Sequence, residues 1–290
     1  MKEITKDILK DVYKSRSADV RKYHFGLLIV IGGSEFYSGA PALSALAAFK
    51  SGVDMVRIIA PKRAADIIAS FSPILAAYPL SGSHLKKEHL TDLLFITESA
   101  KIASKGKTAV VIGGGIGRTE ETQEVILEFL SQVSSPVVIE ADAIYALEKK
   151  PEIISNKPFL ITPNSYEFFI LTKKDIYEIS ELEKIKMVQA EATRLKTTIL
   201  LKGETDIISN GQEVALNKIT SPYLTKGGSG DTLAGICGSL IARGTDLFLA
   251  AQAAAFINVR AGQLAGEKKK EGLLATDLIE TIPEIINEYV

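Results

Sequence analysis

Few residues in this chain can support thiol, zinc or histidine chemistry. Its 290 residues include one cysteine, Cys237, which excludes an intrachain disulfide and any zinc site built on several thiolates, and suits a reducing compartment. His24, His84 and His89 show no metal-ligand spacing, so packing or surface roles are expected for all three. Net charge is equally scarce. The 34 Lys and Arg against 35 Asp and Glu leave −1, and no whole-protein basic field exists to gather nucleic acid or an anionic membrane. No apolar run approaches the roughly 20 residues of a spanning helix. The opening MKEITKDILK alternates charged and apolar residues where a signal peptide would carry an unbroken apolar core. A cytoplasmic globular protein is the expectation, with 46% apolar residues available for a core.

What is present is an alternation of strand-like runs with helical patterns, the signature of a parallel sheet covered on both faces. The runs are Leu27 to Ile31, Val53 to Ala60, Thr108 to Ile112, Pro136 to Glu140, Phe159 to Thr162 and Ile199 to Lys202. Most are continuously apolar, as strands buried on both faces require. Asp206 to Ser209 and Glu213 to Leu216 flank Asn210-Gly211, which predicts an antiparallel hairpin finishing the sheet. From Asp231 onward the pattern is helical, with a small-residue stretch at Leu247 to Ala265 and an amphipathic last helix at Thr276 to Tyr289. The charged run Glu267 to Glu271 reads as a solvated loop face. No linker, low-complexity tract or repeat divides the chain, so residues 1–290 read as one domain.

Four glycine-containing turns follow strands, and in a parallel sheet such turns sit at the carboxyl edge where ligands bind. The first runs from Gly32 to Pro41, with Pro41 suited to the first position of the next helix. Gly113 to Gly117, followed by Arg118, is not a dinucleotide fingerprint, because Arg118 stands where the third glycine would fall. Two readings stand for it: simple flexibility, or a backbone that a phosphate or planar ligand can approach closely. In Thr162-Pro163-Asn164-Ser165-Tyr166-Glu167, Asn164 fits a helix cap with Glu167 as its partner, and the same pair can orient water or hydrated Mg²⁺ beside phosphates.

The strongest turn is Thr225 to Gly235. Glycines 227, 228 and 230 let successive N–H groups converge on an anion, so Gly227, Gly228, Ser229 and Gly230 form an expected anion hole at a helix start. Asp231 beside it can deprotonate an attacking hydroxyl. Other matches fail: Gly106-Lys107-Thr108 has Lys101 where a Walker loop needs glycine, and Ser229 lacks the glycine of a nucleophile elbow. Cys237 reads as core.

Taken in order over roughly Phe25 to Ala265, these segments resemble the ADP-dependent NAD(P)H-hydrate dehydratases, a branch of the ribokinase-like superfamily. The resemblance rests on Gly32-Gly33-Ser34 with Tyr37 and Gly39-Ala40-Pro41, the Gly113 to Gly117 turn, Glu140-Ala141-Asp142-Ala143, Leu160 to Glu167, Lys202-Gly203 with Thr205, and Gly227 to Asp231. It implies an α/β three-layer sandwich and repair of hydrated NADH or NADPH (NADHX, NADPHX), with ADP, or ATP, as co-substrate and Mg²⁺ as cofactor. By resemblance, Ala40, Gly117, Asn164 and Asp231 meet the hydrate. Lys202, Gly203, Glu204, Thr205, Asp206 and Gly230 hold the adenine nucleotide, Glu167 reaches Mg²⁺ through water, and Asp231 is catalytic.

Hydroxide leaves poorly. Phosphorylating the ring hydroxyl converts it to phosphate, which the enamine nitrogen can expel to restore the dihydropyridine. The resemblance further implies a homotetramer and, with no epimerase domain ahead of residue 1, a separate epimerase partner. Asn164 stands where the family usually has His, giving the Asn-x-x-Glu arrangement of sugar and vitamin kinases in the same superfamily. A small-molecule kinase using ATP is therefore the second expectation. A nucleotide sensor without turnover is the third, disfavoured by the retention of Asp231. Glu140 replaces the usual Asp of an Asp-Ala-Asp run and keeps its charge.

Overall fold

The computed structural model describes residues 1–219 and 221–289. Its strands are β1 Lys2–Glu3, β2 Leu27–Ile31, β3 Met55–Pro61, β4 Ala76–Leu80, β5 Thr108–Ile112, β6 Val137–Ile139, β7 Phe159–Ile161, β8 Thr198–Leu201, β9 Asp206–Ser209 and β10 Val214–Asn217. The helices are α1 Ile8–Val12, α2 Gly39–Lys50, α3 Lys62–Phe71, α4 Leu90–Ala103, α5 Glu120–Gln132, α6 Asp142–Ala146, α7 Ser165–Thr172, α8 Glu181–Leu195, α9 Ser229–Ala242, α10 Leu247–Lys269 and α11 Ala275–Tyr289.

The strands form one sheet in the order β1-β10-β9-β8-β7-β6-β5-β2-β3-β4. Every neighbouring pair is parallel except the two made by β9. Because β9 alone runs backwards, the carboxyl end of β10 lies at the same edge as those of β2, β5, β6, β7 and β8. Strand β2 shows how the sequence builds this. All five of its residues are buried, with Leu28 and Val30 in the core shared with α2, α9 and α10, and Leu27, Ile29 and Ile31 in the core shared with α4, α5 and α8. The result is the expected three-layer arrangement, with helices on both faces.

Helix α9 is buried from Thr232 through Ala242, and its small residues explain how. A Cβ on Gly238 would lie 2.5 Å from Val111 Cγ2 and 2.8 Å from Leu28 Cδ1, while one on Gly235 would collide with the Ser44 carbonyl of α2. Alanine normally favours a helix over glycine by about 1 kcal/mol. At Gly235 the sign reverses, because the obstacle is backbone and cannot rotate away. Gly235→Ala is expected to cost about 1–3 kcal/mol, seen as a lowered melting temperature in thermal denaturation.

Several local expectations need correction. Strands β1 and β4 were not foreseen: β1 has two polar residues, and β4 contains Pro79 and is largely exposed, as befits the sheet edge where a missing N–H is tolerated. The α2 helix begins at Gly39, so Pro41 is its third residue and not its first. Helix α10 continues through Lys269, so most of the Glu267 to Glu271 run is helical, though solvated as expected. Lys and Glu are good helix formers, and the helix ends only where Lys270 takes φ 49°. The small-residue stretch of α10 packs within the chain, against α9 and α11. Among the described residues, no helix is long and apolar enough to cross a membrane.

Candidate active site

The first two glycine turns touch directly. Gly33 donates its N–H to the Gly114 carbonyl at 2.9 Å. The fourth turn joins them through its acid. A Cβ on Gly114 would stand 2.6 Å from Glu140 Oε1, 2.9 Å from Asp231 Oδ1 and 3.1 Å from Ala40 Cβ. Only glycine leaves that space open. Ala40 at the head of α2, Glu140 after β6 and Asp231 in the first turn of α9 therefore converge on one point at the carboxyl edge.

Two carboxyls this close in a buried site cannot both ionise freely. Glu140 is 2% exposed, and its Oε1 is buried with no hydrogen-bond partner among the described residues. Burial first, and then the charge of Asp231, push the Glu140 carboxyl well above its ordinary range. Burial also pushes Asp231 up to about 6, with Lys202 opposing the shift. The arrangement favours the proton on Glu140 and leaves Asp231, at about 6, the carboxyl that ionises by neutral pH and can accept a proton. Lys202 supplies the local positive charge: its Nζ is 3.5 Å from Glu167 Oε2 and 3.5 Å from the position of a Cβ on Gly230.

Between the two acids of Glu140-Ala141-Asp142 the backbone is strained. Ala141 has φ 44° and ψ −124°, a region that non-glycine residues adopt at a cost of about 1–3 kcal/mol. The turn sends Glu140 toward Asp231 while Asp142 reaches the second glycine turn, where its carboxylate accepts from Gly117 N–H at 3.0 Å and from Arg118 Nε at 2.6 Å. Sequence reasoning gave neither acid a role in holding the site. The available signal was two acids directly following an apolar parallel strand.

The third turn is a reciprocal cap. Asn164 Oδ1 accepts from Glu167 N–H at 2.9 Å, and Glu167 Oε2 accepts from Asn164 N–H at 2.8 Å. The capping expectation for this pair holds, and Glu167 also faces Lys202. The β8–β9 turn is more mixed. Lys202 N–H donates to the Pro163 carbonyl at 2.8 Å, tying this turn to the third one. Gly203 and Glu204 are exposed and Thr205 half-buried, its hydroxyl donating to Glu181 at 3.0 Å. Asp206 differs from its neighbours. It is buried, accepting from Gly203 N–H at 3.2 Å and from Asn217 Nδ2 at 3.1 Å, so it shapes the turn from beneath.

In the fourth turn Gly227 is exposed, and Gly228 has φ 97°, the left-handed conformation that lets the chain enter α9. The first amides of a helix have no intrahelical acceptor, which suits an anion. The Ser229 hydroxyl is already spent on the Leu224 carbonyl at 2.9 Å and the Lys226 carbonyl at 3.0 Å, and its N–H donates to the Lys226 carbonyl at 3.4 Å, so an anion arriving here would have to draw that amide away from Lys226. Lys226 donates to the Glu271 carbonyl. Among the described residues, no group of three or more His, Cys, Asp or Glu is arranged to hold a metal ion.

A family description of NAD(P)H-hydrate dehydratase matches residues 28–284. An ADP-dependent (S)-NAD(P)H-hydrate dehydratase from Nitrosopumilus maritimus is 34% identical over 285 residues, covering 98% of this chain and 95% of the relative. A bifunctional NAD(P)H-hydrate repair enzyme from Hyperthermus butylicus is 38% identical over 283 residues, covering 96% of this chain and 51% of the relative. The chain spans about half the length of this and similar bifunctional relatives. Among solved structures, an ADP/ATP-dependent NAD(P)H-hydrate dehydratase from Bacillus subtilis, co-crystallized with ATP/Mg²⁺, shares the fold with TM-score 0.80 at 22% identity, covering 100% of this chain and 99% of that one. A ribokinase-like superfamily protein from Enterococcus faecalis has TM-score 0.85 at 23% identity, covering 100% of this chain and 96% of that one. The sequence match across 28–284 and the glycine turns meeting at one edge of a ribokinase-like sheet lead to one conclusion: this chain belongs to the NAD(P)H-hydrate dehydratase family.

Proposed function

We propose that this chain, acting as a single domain over residues 1–290, restores NADH or NADPH from its hydrate with ADP as phosphoryl donor. The supporting observation is the position of Asp231, at the start of α9 beside the Gly227 to Gly230 amides and facing Gly114 and Ala40. In this reading the hydrated nicotinamide nucleotide lies against Ala40, Gly117 and Asn164, with its ring hydroxyl at Asp231. Asp231 accepts the hydroxyl proton as the oxygen attacks the terminal phosphorus of ADP, and AMP leaves as the old P–O bond breaks. The ring nitrogen's electron pair then expels phosphate, and loss of a proton from the adjacent ring carbon regenerates the double bond. Glycine amides and Lys202 stabilise charge on the transferring phosphoryl group, the main catalytic contribution in such transfers.

Mg²⁺ fits this donor set in the usual way, through one carboxylate and water together with the nucleotide's phosphates, and Glu167 is the carboxylate we assign to it. When bound, it supplies neutralising charge at those phosphates. Lys202, Gly203, Glu204, Thr205 and Gly230 are the assigned nucleotide contacts, and Asp206 supports them from below. A homotetramer, a separate epimerase acting on the hydrate epimers, and a cytoplasmic setting complete the reading; the single, buried Cys237 suits a reducing compartment.

The test is incubation of the protein with hydrated NADH and ADP, followed at the reduced-nicotinamide absorbance band. Recovery of absorbance that requires the nucleotide supports the proposal. Phosphorylation of sugar or vitamin alcohols by ATP, with no action on the hydrate, would replace it with the kinase reading that Asn164 and Glu167 suggest.

A further inference from the structure

Resting on that proposed function, the geometry points to Arg118 as a residue that recognises the diphosphate of the hydrated dinucleotide. Four observations carry this. First, Arg118 directly follows Gly117, whose φ of 88° and open surroundings leave room for a ligand against the turn. Second, its side chain is held in place before any ligand arrives. Asp142 accepts from its Nε at 2.6 Å, and its guanidinium carbon lies 3.5 Å from the centre of the Tyr145 ring. Third, the same Asp142 carboxylate fixes Gly117 N–H at 3.0 Å, so the cation and the turn move as one unit. Fourth, the Arg118 side chain remains 52% exposed. A guanidinium has five N–H donors, so binding Asp142 through Nε leaves donors for an anion.

Adjacent groups define the class of ligand. The Tyr145 ring lies 6.3 Å from that of Tyr166, which follows Asn164 by two positions, so Arg118, Tyr145 and Tyr166 form a cationic and aromatic wall between Gly117 and Asn164. The cations of the other turns are placed elsewhere: Lys202 sits beside Gly230, and Lys226 is bound to the Glu271 carbonyl. A dinucleotide whose nicotinamide half occupies the Gly117 side brings a diphosphate that those two residues do not serve. Asp142 offsets much of the charge of Arg118. Recognition therefore rests on directed, charge-assisted hydrogen bonds and less on a net positive field.

The test compares wild type, Arg118→Ala and Arg118→Lys in steady-state turnover of hydrated NADH at saturating ADP. For Arg118→Ala we expect KM for the hydrate to rise about tenfold, the lower end for a lost charged hydrogen bond. Alongside this, kcat should stay within twofold of wild type, KM for ADP should be unchanged, and Arg118→Lys should recover part of the loss. An unchanged KM for the hydrate, a fall in kcat alone, or an equal rise in the KM for ADP would overturn the assignment. Wild type is assayed first, so its failure to turn over hydrated NADH separately overturns the proposed function on which the assignment rests.

Discussion

Asp231→Asn is expected to lower kcat for the hydrate by roughly 10²–10⁴-fold, the usual contribution of a positioned general base. Its amide cannot accept the hydroxyl proton at the moment of phosphoryl transfer. Binding should survive, because the Gly227 to Gly230 turn, Lys202 and the Gly117 turn are untouched. The fold should survive as well. Asp231 is held up to about 6 by burial, above its ordinary value of 3.8, so the folded protein retains this proton over a pH range where the unfolded chain has lost it. Stability from this group is therefore lost as pH rises through that window, and at neutral pH its charge is a burden on the folded state. Asp231→Asn removes the burden, so its melting temperature near pH 7.5 should equal or exceed that of wild type. In wild type the same ionisation governs activity: kcat should fall as pH drops through about 6, where the base becomes protonated. Measured kcat, melting temperature and a pH–rate profile check all three statements.

Gly114→Ala is the second large effect. The added methyl would lie 2.6 Å from Glu140 Oε1 and 2.9 Å from Asp231 Oδ1, closer than carbon and oxygen can approach without one of them moving. Glu140 is enclosed with almost no solvent to turn into, and the half-buried Asp231 is the side chain that has room to move. Displacing Asp231 by about 1 Å from its working position is expected to cost on the order of 10²-fold in kcat/KM. The backbone at Gly114 does not require positive φ, in contrast to Gly113 at 135°, where a Cβ would also collide with the Glu140 carbonyl. Gly114→Ala should therefore fold and fail catalytically, whereas Gly113→Ala should fail to fold. Circular dichroism together with kcat/KM separates the two.

How far the chain could be read in advance follows from where its information is local. Strands β2 and β5 match their sequence boundaries because unbroken apolar runs bounded by glycine or polar residues leave little choice. The Asn210-Gly211 hairpin is present, but its connection spans residues 210–213. Asn210 Oδ1 accepts from the Gln212 and Glu213 amides, holding a wider turn than the dipeptide alone implies. Strand β4 was missed because Pro79 argues against a strand everywhere except the edge where it lies. In the site, Asn164 and Glu167 were legible as a cap because they are three residues apart on one helix. The meeting of Glu140, Asp231 and Lys202 was not, since each lies on a different element and only the sheet order brings them together. The strained Ala141 that aims Glu140 and Asp142 in different directions leaves no compositional trace.

The central claim is that one active site couples phosphoryl transfer from ADP to restoration of the nicotinamide ring. The most direct measurement is product stoichiometry in a single reaction of wild type with hydrated NADH and ADP. Equal amounts of NADH, AMP and inorganic phosphate are expected, all abolished together in Asp231→Asn. AMP and phosphate formed without NADH, or a stable phosphorylated product that retains the phosphoryl group, would contradict it.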